Sequence, residues 1–253
     1  MTHRILILGG TTEARQLAGK LAARASVTLS LAGRTESPVA QGVPVRSGGF
    51  GGADGLADYL RKEHIDLLID ATHPYAAQIS ANAAQAARVA GVPILALRRP
   101  GWESVEGDRW TLVNTVGDAV QALGPAPRRV FLALGRQEVA AFEAAPQHHY
   151  LVRSVDAIEP KLAVPDASYL LARGPFREAE ERTLLEEHRI DVVVSKNSGG
   201  AATYGKIAAA RALGLEVVMI HRPVLPDVPA AESVEALTMM VDHFVRPVDE
   251  RGV

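Results

Sequence analysis

The chain has no cysteine among its 253 residues. It can therefore form no disulfide framework, no thiolate metal site and no cysteine nucleophile. Neither sign of charge is in large excess, since 27 lysines and arginines face 29 aspartates and glutamates for a formal net charge of −2. This balance argues against a non-specific nucleic-acid binder, which usually carries a strongly basic domain. No apolar run approaches the roughly 18–20 residues that cross a bilayer.

Signals for export and for several common active sites are also missing. The first apolar stretch, Ile5–Leu8, gives way at once to glycines, whereas a secretory signal needs a longer apolar core. We therefore expect a soluble, cytoplasmic protein with no membrane or nucleic-acid partner. No H-x-x-x-H or H-E-x-x-H spacing and no G-x-S-x-G elbow occurs, so no metal is predicted. A Tyr-x-x-x-Lys pair is absent too, because Tyr75 and Tyr204 are followed at that spacing by Ile79 and Ala208. Nothing in the sequence indicates the oligomeric state.

Short apolar runs alternate along the chain with alanine-rich segments of helical period. Continuous apolar runs bounded by turn residues are typical of strands buried on both faces of a parallel sheet. The predicted strands are Arg4–Leu8, Val27–Ala32, Leu67–Asp70, Ile94–Leu97, Val130–Leu134, Tyr150–Val152, Tyr169–Ala172, Val192–Ser195 and Val217–Ile220. The predicted helices are Glu13–Ala23, Leu56–Glu63, Ala76–Ala90, Arg177–His188, Thr203–Leu213 and Glu232–Phe244, with a disordered tail over Arg246–Val253. This alternation predicts an α/β fold of doubly wound, Rossmann-like parallel sheets.

The second half of the chain repeats the pattern of the first about 125 residues later. The matching segments are Leu6–Gly9 with Leu132–Gly135, Ile65–His73 with Ile190–Ser198, and Ala86–Pro100 with Ala209–Pro223. Two α/β lobes are the simplest interpretation, with domains 1–125 and 126–253 divided near the proline-rich stretch Gly124–Pro127. Ligands bind at the carboxyl ends of parallel strands. We therefore expect the substrate in a cleft between the two lobes.

The first strand runs directly into Gly9-Gly10-Thr11-Thr12-Glu13 and a helix. Glycines allow a phosphate to approach the backbone, and N–H groups at the start of a helix hold the anion. These five residues are therefore predicted to bind a nucleotide cofactor. The pattern departs from G-x-G-x-x-G, and a tight turn without a ligand is the alternative.

The loop after the second strand bears on which nucleotide is bound. NAD-binding folds carry an acidic residue here that bonds the ribose 2′-hydroxyl, but this strand ends in Gly33-Arg34-Thr35. The planar guanidinium of Arg34 suits a 2′-phosphate. We therefore predict NADPH rather than NADH, with an exposed arginine that binds nothing as the alternative.

Two further strand ends carry polar loops, Asp70–Tyr75 in the first half and Ser195–Gly200 in the second. The first places Asp, Thr, His and Tyr within six residues, which is typical of a loop that faces a ligand. Lys196 in the second could offer a positive charge to an acidic substrate. The alternatives are a structural or solvated histidine at His73 and a solvated lysine at Lys196.

Five motifs then occur in an order that resembles the precorrin-6A reductase family. They are Ile7–Arg15, Asp70–Ala76, Arg99–Trp102, Gly174–Phe176 and Ser195–Gly200, and the resemblance extends from Ile5 to about Pro223. It implies an enzyme of cobalamin biosynthesis that uses NADPH to reduce one double bond of a corrin-ring precursor, turning precorrin-6A into precorrin-6B. A sister branch reduces the cobalt-bearing substrate, and these motifs leave the choice of branch open.

The resemblance also implies roles for the strand-end residues. The nicotinamide is expected near Thr72–Tyr75, with Thr72 in the cofactor-binding set. The candidate proton donors are Asp70, His73, Tyr75 and Lys196, and protonation from the substrate or from water is the alternative. The tetrapyrrole carries many carboxylates, which suit arginine and lysine side chains and backbone donors. The residues predicted to bind it are Arg99, Arg136, Arg173, Ser195, Asn197, Ser198 and Gly199.

Two other functions remain open at this point. One is another NADP-linked enzyme on the same scaffold, such as an epimerase or a reductase of a smaller substrate. The other is a non-catalytic module that senses NADP. A sensor would bind the nucleotide without turnover, so following NADPH oxidation in the presence of a tetrapyrrole separates it from the enzymes.

Overall fold

A computed structural model describes residues 2–33, 40 and 42–245. Its strands are β1 Arg4–Leu8, β2 Ser26–Leu31, β3 Val45–Ser47, β4 Leu67–Asp70, β5 Ile94–Leu97, β6 Arg109–Val113, β7 Arg129–Ala133, β8 His149–Ser154, β9 Ala167–Leu171, β10 Val192–Lys196, β11 Glu216–Ile220 and β12 Ala230–Ala231. Its α-helices are α1 Thr12–Leu21, α2 Gly52–Lys62, α3 Ala77–Ala90, α4 Val116–Ala122, α5 Arg136–Val139, α6 Glu178–Glu187, α7 Gly205–Ala212 and α8 Val234–Val245. Short 3-10 turns cover Ala140–Ala144 and Ala201–Thr203.

The chain divides into two compact units, and each contains one six-stranded parallel sheet. Unit 1 comprises Met1–Pro100 and Pro223–Val253, and unit 2 comprises Gly101–Arg222. The strand order is β3-β2-β1-β4-β5-β12 in the first sheet and β9-β8-β7-β10-β11-β6 in the second. Both are the doubly wound order of dinucleotide-binding folds, in which the chain reverses direction across the sheet next to the first strand. The predicted α/β class and the two parallel sheets are confirmed.

The core of unit 1 lies on both faces of its sheet because successive strand residues point to opposite sides. Ile5 and Ile7 of β1 pack with α1 and α8 on one face. Leu6 and Leu8 pack with α2 and α3 on the other. All four side chains are almost inaccessible to solvent. A strand covered on both faces reads as a continuous apolar run, which is why β1 is visible in the sequence.

Unit 2 is built in the same way around β7 and β10. Phe131 of β7 and Val193 of β10 pack against α6 and α7 in one buried cluster. β10 pairs in parallel with β7 on one side and β11 on the other. β7 and β10 therefore occupy the places that β1 and β4 hold in unit 1, as the internal repeat predicts.

The sixth strand of each sheet comes from the other half of the sequence. β6 follows β5 along the chain but pairs with β11 of unit 2. β12 follows β11 but pairs with β5 of unit 1. The predicted boundary between 125 and 126 is therefore wrong as a division of the fold. Gly124–Pro127 connects α4 to β7 inside unit 2, and the chain instead changes units near Pro100 and near Arg222.

Three strands escaped the sequence analysis because they are short or lie at sheet edges. β3 has three residues, none of them buried, and β12 has only two. β6 is an edge strand in which no residue is fully buried. Edge strands need no continuous apolar run, so their sequences carry little strand signal. The predicted tail over Arg246–Val253 lies outside the described residues.

Within the described part of the chain, no helix is long and apolar enough to cross a membrane.

The exchanged strands predict how fragments of the chain behave. A fragment of residues 101–222 contains every strand of the second sheet, whereas a fragment of residues 126–253 lacks β6 and α4. We expect the first to unfold cooperatively on heating and the second to lose that cooperativity, because its β11 would expose an unpaired edge. Circular dichroism melts of the two fragments measure this. A cooperative 126–253 beside an unfolded 101–222 would contradict the assignment of strands.

Candidate functional site

The carboxyl edge of the first sheet brings the predicted cofactor residues together. β1 ends at Leu8, and Gly9 and Gly10 lead into α1. Thr11 caps that helix, since its hydroxyl accepts a hydrogen bond of 3.0 Å from the Ala14 N–H. The same hydroxyl donates to the Ala71 carbonyl at 3.1 Å. Thr11 therefore connects the β1–α1 turn to the loop after β4, and both hydrogen bonds of its hydroxyl have a structural role.

The β1–α1 turn has the backbone features of an anion site. Gly10 adopts a φ of 111°, a region that side chains other than glycine rarely enter. The first turn of the ten-residue helix α1 presents N–H groups that have no partner within the helix. Glu13 in that turn would repel an anion, but Arg99 lies 2.7 Å from its carboxylate. The ion pair offsets the negative charge beside the turn.

A cavity of about 170 Å³ opens at this edge, entirely within unit 1. Its walls are mostly apolar side chains and glycine backbone: Leu8, Gly9, Ser30, Ala32, Gly48, Gly49, Phe50, Gly51, Gly52, Leu56, Thr72, Ile79 and Asn82. Pockets that take a whole drug-sized ligand span roughly 300–1,000 Å³. We infer that this cavity, named here the edge cavity, takes one flat portion of a larger ligand.

The glycine-rich segment Gly48–Gly52 was missed by the sequence analysis, although four glycines in five positions are a visible signal. Arg46 of β3 holds this segment through hydrogen bonds to the carbonyls of Gly48 (2.5 Å) and Gly49 (2.7 Å). The guanidinium carbon of Arg46 also lies 3.7 Å from the centre of the Phe50 ring. Arg46 thereby fixes one wall of the edge cavity.

Asp70, at the end of β4, carries a buried carboxylate with several hydrogen-bond partners at this edge. Its buried carboxylate accepts hydrogen bonds from Arg98 at 2.6 Å and from the Thr72 hydroxyl at 2.7 Å. Burial alone would raise the pKa of the Asp70 carboxyl, but the Arg98 charge and these hydrogen bonds outweigh it and lower the pKa. Asp70 is therefore ionised at neutral pH. An ionised carboxylate has no proton to give, so the geometry argues against Asp70 as the proton donor.

His73 and Tyr75 follow in the same loop with their rings 5.7 Å apart. The Tyr75 N–H donates to Nδ1 of His73 at 3.3 Å. In this bond the Nδ1 atom of His73 acts as the acceptor. Thr72 before them is buried and lines the edge cavity.

Gly33, two residues after the end of β2, has a φ of 72°. Arg34 and Thr35, which are predicted to read the 2′-phosphate, lie outside the described residues. The choice between NADPH and NADH therefore stays a prediction from the sequence.

The corresponding turn of unit 2 lacks the features of an anion site. After β7 the chain passes Gly135 into α5, a helix of only four residues. The Glu138 carboxylate lies so close to Gly135 that a side chain on residue 135 would collide with it. Lys196, at the end of β10, forms an ion pair of 2.6 Å with Glu138. A protein carboxylate thus lies at the turn that corresponds to the β1–α1 turn of unit 1.

The polar side chains of the Ser195–Gly200 loop form hydrogen bonds to other groups of unit 2. The Ser195 side chain is fully buried and donates to the Lys196 carbonyl at 3.2 Å. The Asn197 side chain accepts from the Trp102 N–H at 2.6 Å and donates to the Trp102 carbonyl at 2.8 Å. Ser198 is 8% exposed and its hydroxyl lies 3.2 Å from that of Thr203. These hydrogen bonds give Ser195, Asn197 and Ser198 a structural role.

The remaining predicted substrate residues vary in exposure. Arg136 and Arg173 are exposed, the first in α5 and the second in the loop after β9, while Gly199 is half-buried. Arg99 belongs to unit 1, where it pairs with Glu13. Among the described residues, no group of three or more histidines, aspartates or glutamates could hold a metal ion.

Comparison with known proteins gives consistent findings. A family model described as precorrin-6x reductase CbiJ/CobK matches residues 4–242. A precorrin-6A reductase from a Sinorhizobium species is 57% identical over 96% of this chain and 94% of its own. One from Rhodobacter capsulatus is 49% identical over 99% of both chains. A cobalt-precorrin-6A reductase from Priestia megaterium is 28% identical over 87% of this chain and 90% of its own.

A solved structure titled CobK precorrin-6A reductase superposes with a TM-score of 0.92. It is 49% identical to this chain, and the match covers all of both chains.

The bonding of Asp70 predicts an acid-sensitive contribution to stability. Asp70→Asn should lower the free energy of unfolding at neutral pH by about 1–3 kcal/mol, because Arg98 loses its charged partner. The native pKa of Asp70 is lowered, so the wild-type carboxylate contributes stability above its unfolded pKa. That contribution is lost as the pH falls through the native value. Urea unfolding from pH 7 to pH 3 measures the difference.

The gap between the wild type and Asp70→Asn should begin to narrow below about pH 4, the ordinary pKa of an aspartate, and should close as the pH falls through the lower native pKa. Asp58→Asn is the matched control, since the Asp58 side chain is 80% exposed in α2, and we expect little change in it. A gap between wild type and Asp70→Asn that persists undiminished at pH 3 would show that charge is not the cause.

Proposed function

The chain belongs to the precorrin-6x reductase family and reduces a C=C bond of precorrin-6A in cobalamin biosynthesis, and we propose that NADPH is its reductant and that unit 1 binds it. The single observation that carries this proposal is the edge cavity beside the β1–α1 turn. It lies at the carboxyl ends of β1, β2, β3 and β4. In doubly wound sheets this crevice is where dinucleotides bind.

The comparisons favour the metal-free substrate over the cobalt-bearing one. The precorrin-6A reductases of Sinorhizobium and Rhodobacter capsulatus share 57% and 49% identity with this chain. The cobalt-precorrin-6A reductase of Priestia megaterium shares 28%.

The residues of unit 1 fit a dinucleotide phosphate. Gly10 leaves the backbone open to a pyrophosphate, since a Cβ there would meet nothing within 4 Å, and the first turn of α1 adds N–H groups. Gly9 instead allows close packing, because a Cβ there would lie 2.6 Å from the Leu29 side chain. The apolar floor of the edge cavity, with Ile79 and Phe50, suits the flat adenine end. Arg34 supplies the charge for the 2′-phosphate. When bound, NADPH supplies the hydride for the reduction, and the protein contributes orientation and exclusion of water.

Reduction of a carbon–carbon double bond also requires a proton. His73, Tyr75 and Lys196 remain the proposed donors after the bonding of Asp70 is taken into account. The first two lie in the loop after β4, next to Thr72 in the wall of the edge cavity. The proposed role of Asp70 is instead to hold Arg98 and Thr72 in place at this edge.

Unit 2 is proposed to hold the macrocycle. The turn after β7 suits a pyrophosphate less well than the β1–α1 turn, because the Glu138 carboxylate lies against Gly135 and would repel it. The exposed arginines Arg136 and Arg173, with Lys196, are the proposed partners of the substrate carboxylates at this sheet edge. Arginine binds carboxylates through two parallel hydrogen bonds, which adds geometric selectivity to the charge.

The identity of the cofactor is tested at Arg34. A charge-assisted hydrogen bond contributes about 1.5–3 kcal/mol, so Arg34→Ala should weaken NADPH binding roughly 10- to 150-fold. NADH lacks the 2′-phosphate, so its binding should hardly change. Nucleotide fluorescence gives both affinities, and the absorbance of NADPH during turnover with precorrin-6A gives the rate.

Arg88→Ala is the matched control, because Arg88 is an exposed arginine in the last turn of α3, at the opposite end of the strands. It should leave both affinities unchanged. Equal weakening of NADPH and NADH by Arg34→Ala would remove Arg34 as the 2′-phosphate reader. Binding of NADPH without turnover of precorrin-6A would instead favour a sensor.

A further inference from the structure

Lys206 is a buried lysine in the first turn of α7 that the proposed chemistry does not use. Its side chain is only 4% exposed. Nζ donates a hydrogen bond of 2.7 Å to the Thr203 carbonyl in the preceding 3-10 turn. It also lies 4.8 Å from the centre of the Trp102 ring. A buried cation is costly unless such partners compensate it.

The two partners of Lys206 both lead to the loop after β10. The Thr203 hydroxyl lies 3.2 Å from that of Ser198. The backbone of Trp102 is held from both sides by the Asn197 amide. Lys206 therefore touches two groups that in turn hold Asn197 and Ser198, on either side of the loop. Moving its ammonium would release both contacts together.

The loop after β9 also contacts the 3-10 turn that precedes α7. The Phe176 N–H donates to the Ala202 carbonyl at 2.9 Å, next to Thr203. Gly205, at the start of α7, permits this approach, because a Cβ there would lie 2.5 Å from the Phe176 carbonyl. The 3-10 turn that Lys206 holds thus contacts the loop after β9, which carries Arg173, and the loop after β10, which directly follows Lys196.

Charged groups from two further elements surround Lys206. Arg153 of β8 forms a buried ion pair with Glu181 of α6, and its guanidinium carbon lies 3.7 Å from the Phe176 ring centre. Burial and repulsion from Arg153 together lower the pKa of the Lys206 ammonium to about 7, although Glu181 opposes both. Its charge therefore changes near neutral pH.

We propose that Lys206 is a positioning residue for substrate binding: through Thr203 and Trp102 it sets the shape of the loops after β9 and β10. It acts through these groups and does not touch the substrate. The inference rests on the proposed assignment of the macrocycle to unit 2.

The first test compares substitutions in the full-length enzyme. Lys206→Met keeps most of the side-chain length but loses the donor and the charge. It should raise the KM for precorrin-6A roughly 5- to 100-fold, because a buried carbonyl loses its hydrogen bond. Lys206→Gln keeps a donor and should recover part of the loss. Lys161→Met makes the same change at an exposed lysine of unit 2 and should have no effect.

The second test needs no change at Lys206. The chain has two tryptophans, Trp102 and Trp110, so in a Trp110→Phe background the emission reports Trp102 alone. Emission should titrate with a midpoint near pH 7, and the KM for precorrin-6A should change with the same midpoint. Emission that is flat across this range, or a KM that does not follow it, would overturn the proposal even if Lys206→Met fails to fold.

The outcomes separate this inference from the proposed function. Affinity for NADPH should stay within about twofold in every Lys206 variant. If Lys206→Met folds and leaves both KM and NADPH affinity unchanged, the positioning role is wrong and the proposed function stands. If it weakens NADPH binding while the KM for precorrin-6A holds, the assignment of the substrate to unit 2 fails as well.

Discussion

Parallel pairing of all six strands in each sheet is the constraint on which the rest of the structure depends. It brings the carboxyl end of every strand in a sheet to one edge, together with the loops that follow. Gly9, Gly48 and Thr72 are far apart in the chain, yet they line one cavity because β1, β3 and β4 end at the same edge of the sheet, with β2 between β1 and β3. The same constraint gathers the loops after β9 and β10 in unit 2.

The two sheets share a strand order but differ in how charge is arranged at that edge. In unit 1 the acidic groups of the edge are paired, Asp70 with Arg98 and Glu13 with Arg99. The glycine turn before α1 is left open to an anion. In unit 2 the acidic group itself, Glu138, lies against the glycine and pairs with Lys196. One topology thus supports two sheet edges that differ in how their charges are arranged.

Much of this was predictable from the sequence, because buried strands and glycine turns leave local signals. β1, β4 and β10 read as continuous apolar runs since they are covered on both faces. The exchange of β6 and β12 between the sheets was not predictable, because pairing of an edge strand is decided by contacts distant in the chain. The proline-rich turn Gly124–Pro127 predicts a domain boundary that the fold does not have, because the sequence does not show which sheet the edge strands join.

The candidate site divides in a similar way. Gly9 and Gly10 can be predicted as candidate site residues because they directly follow an apolar strand, whereas Thr72 is assigned to the cofactor through the family resemblance. The pairing of Asp70 with Arg98, and of Arg153 with Glu181 beside Lys206, joins residues from different elements. No spacing rule relates such residues. Lys206 in particular lies in an ordinary alanine-rich helix, where a lysine normally reads as a solvated side chain.

We propose that the nucleotide occupies unit 1 alone. Amide hydrogen exchange of the wild-type enzyme with and without NADPH is the most direct test. Exchange in Gly9–Glu13 and Gly48–Gly52 should be slower when NADPH is added, because bound phosphates and the adenine cover those backbone groups. Exchange in the turn from Gly135 to Val139 should not change. Protection of that turn, with Gly9–Glu13 unaffected, would contradict the proposal.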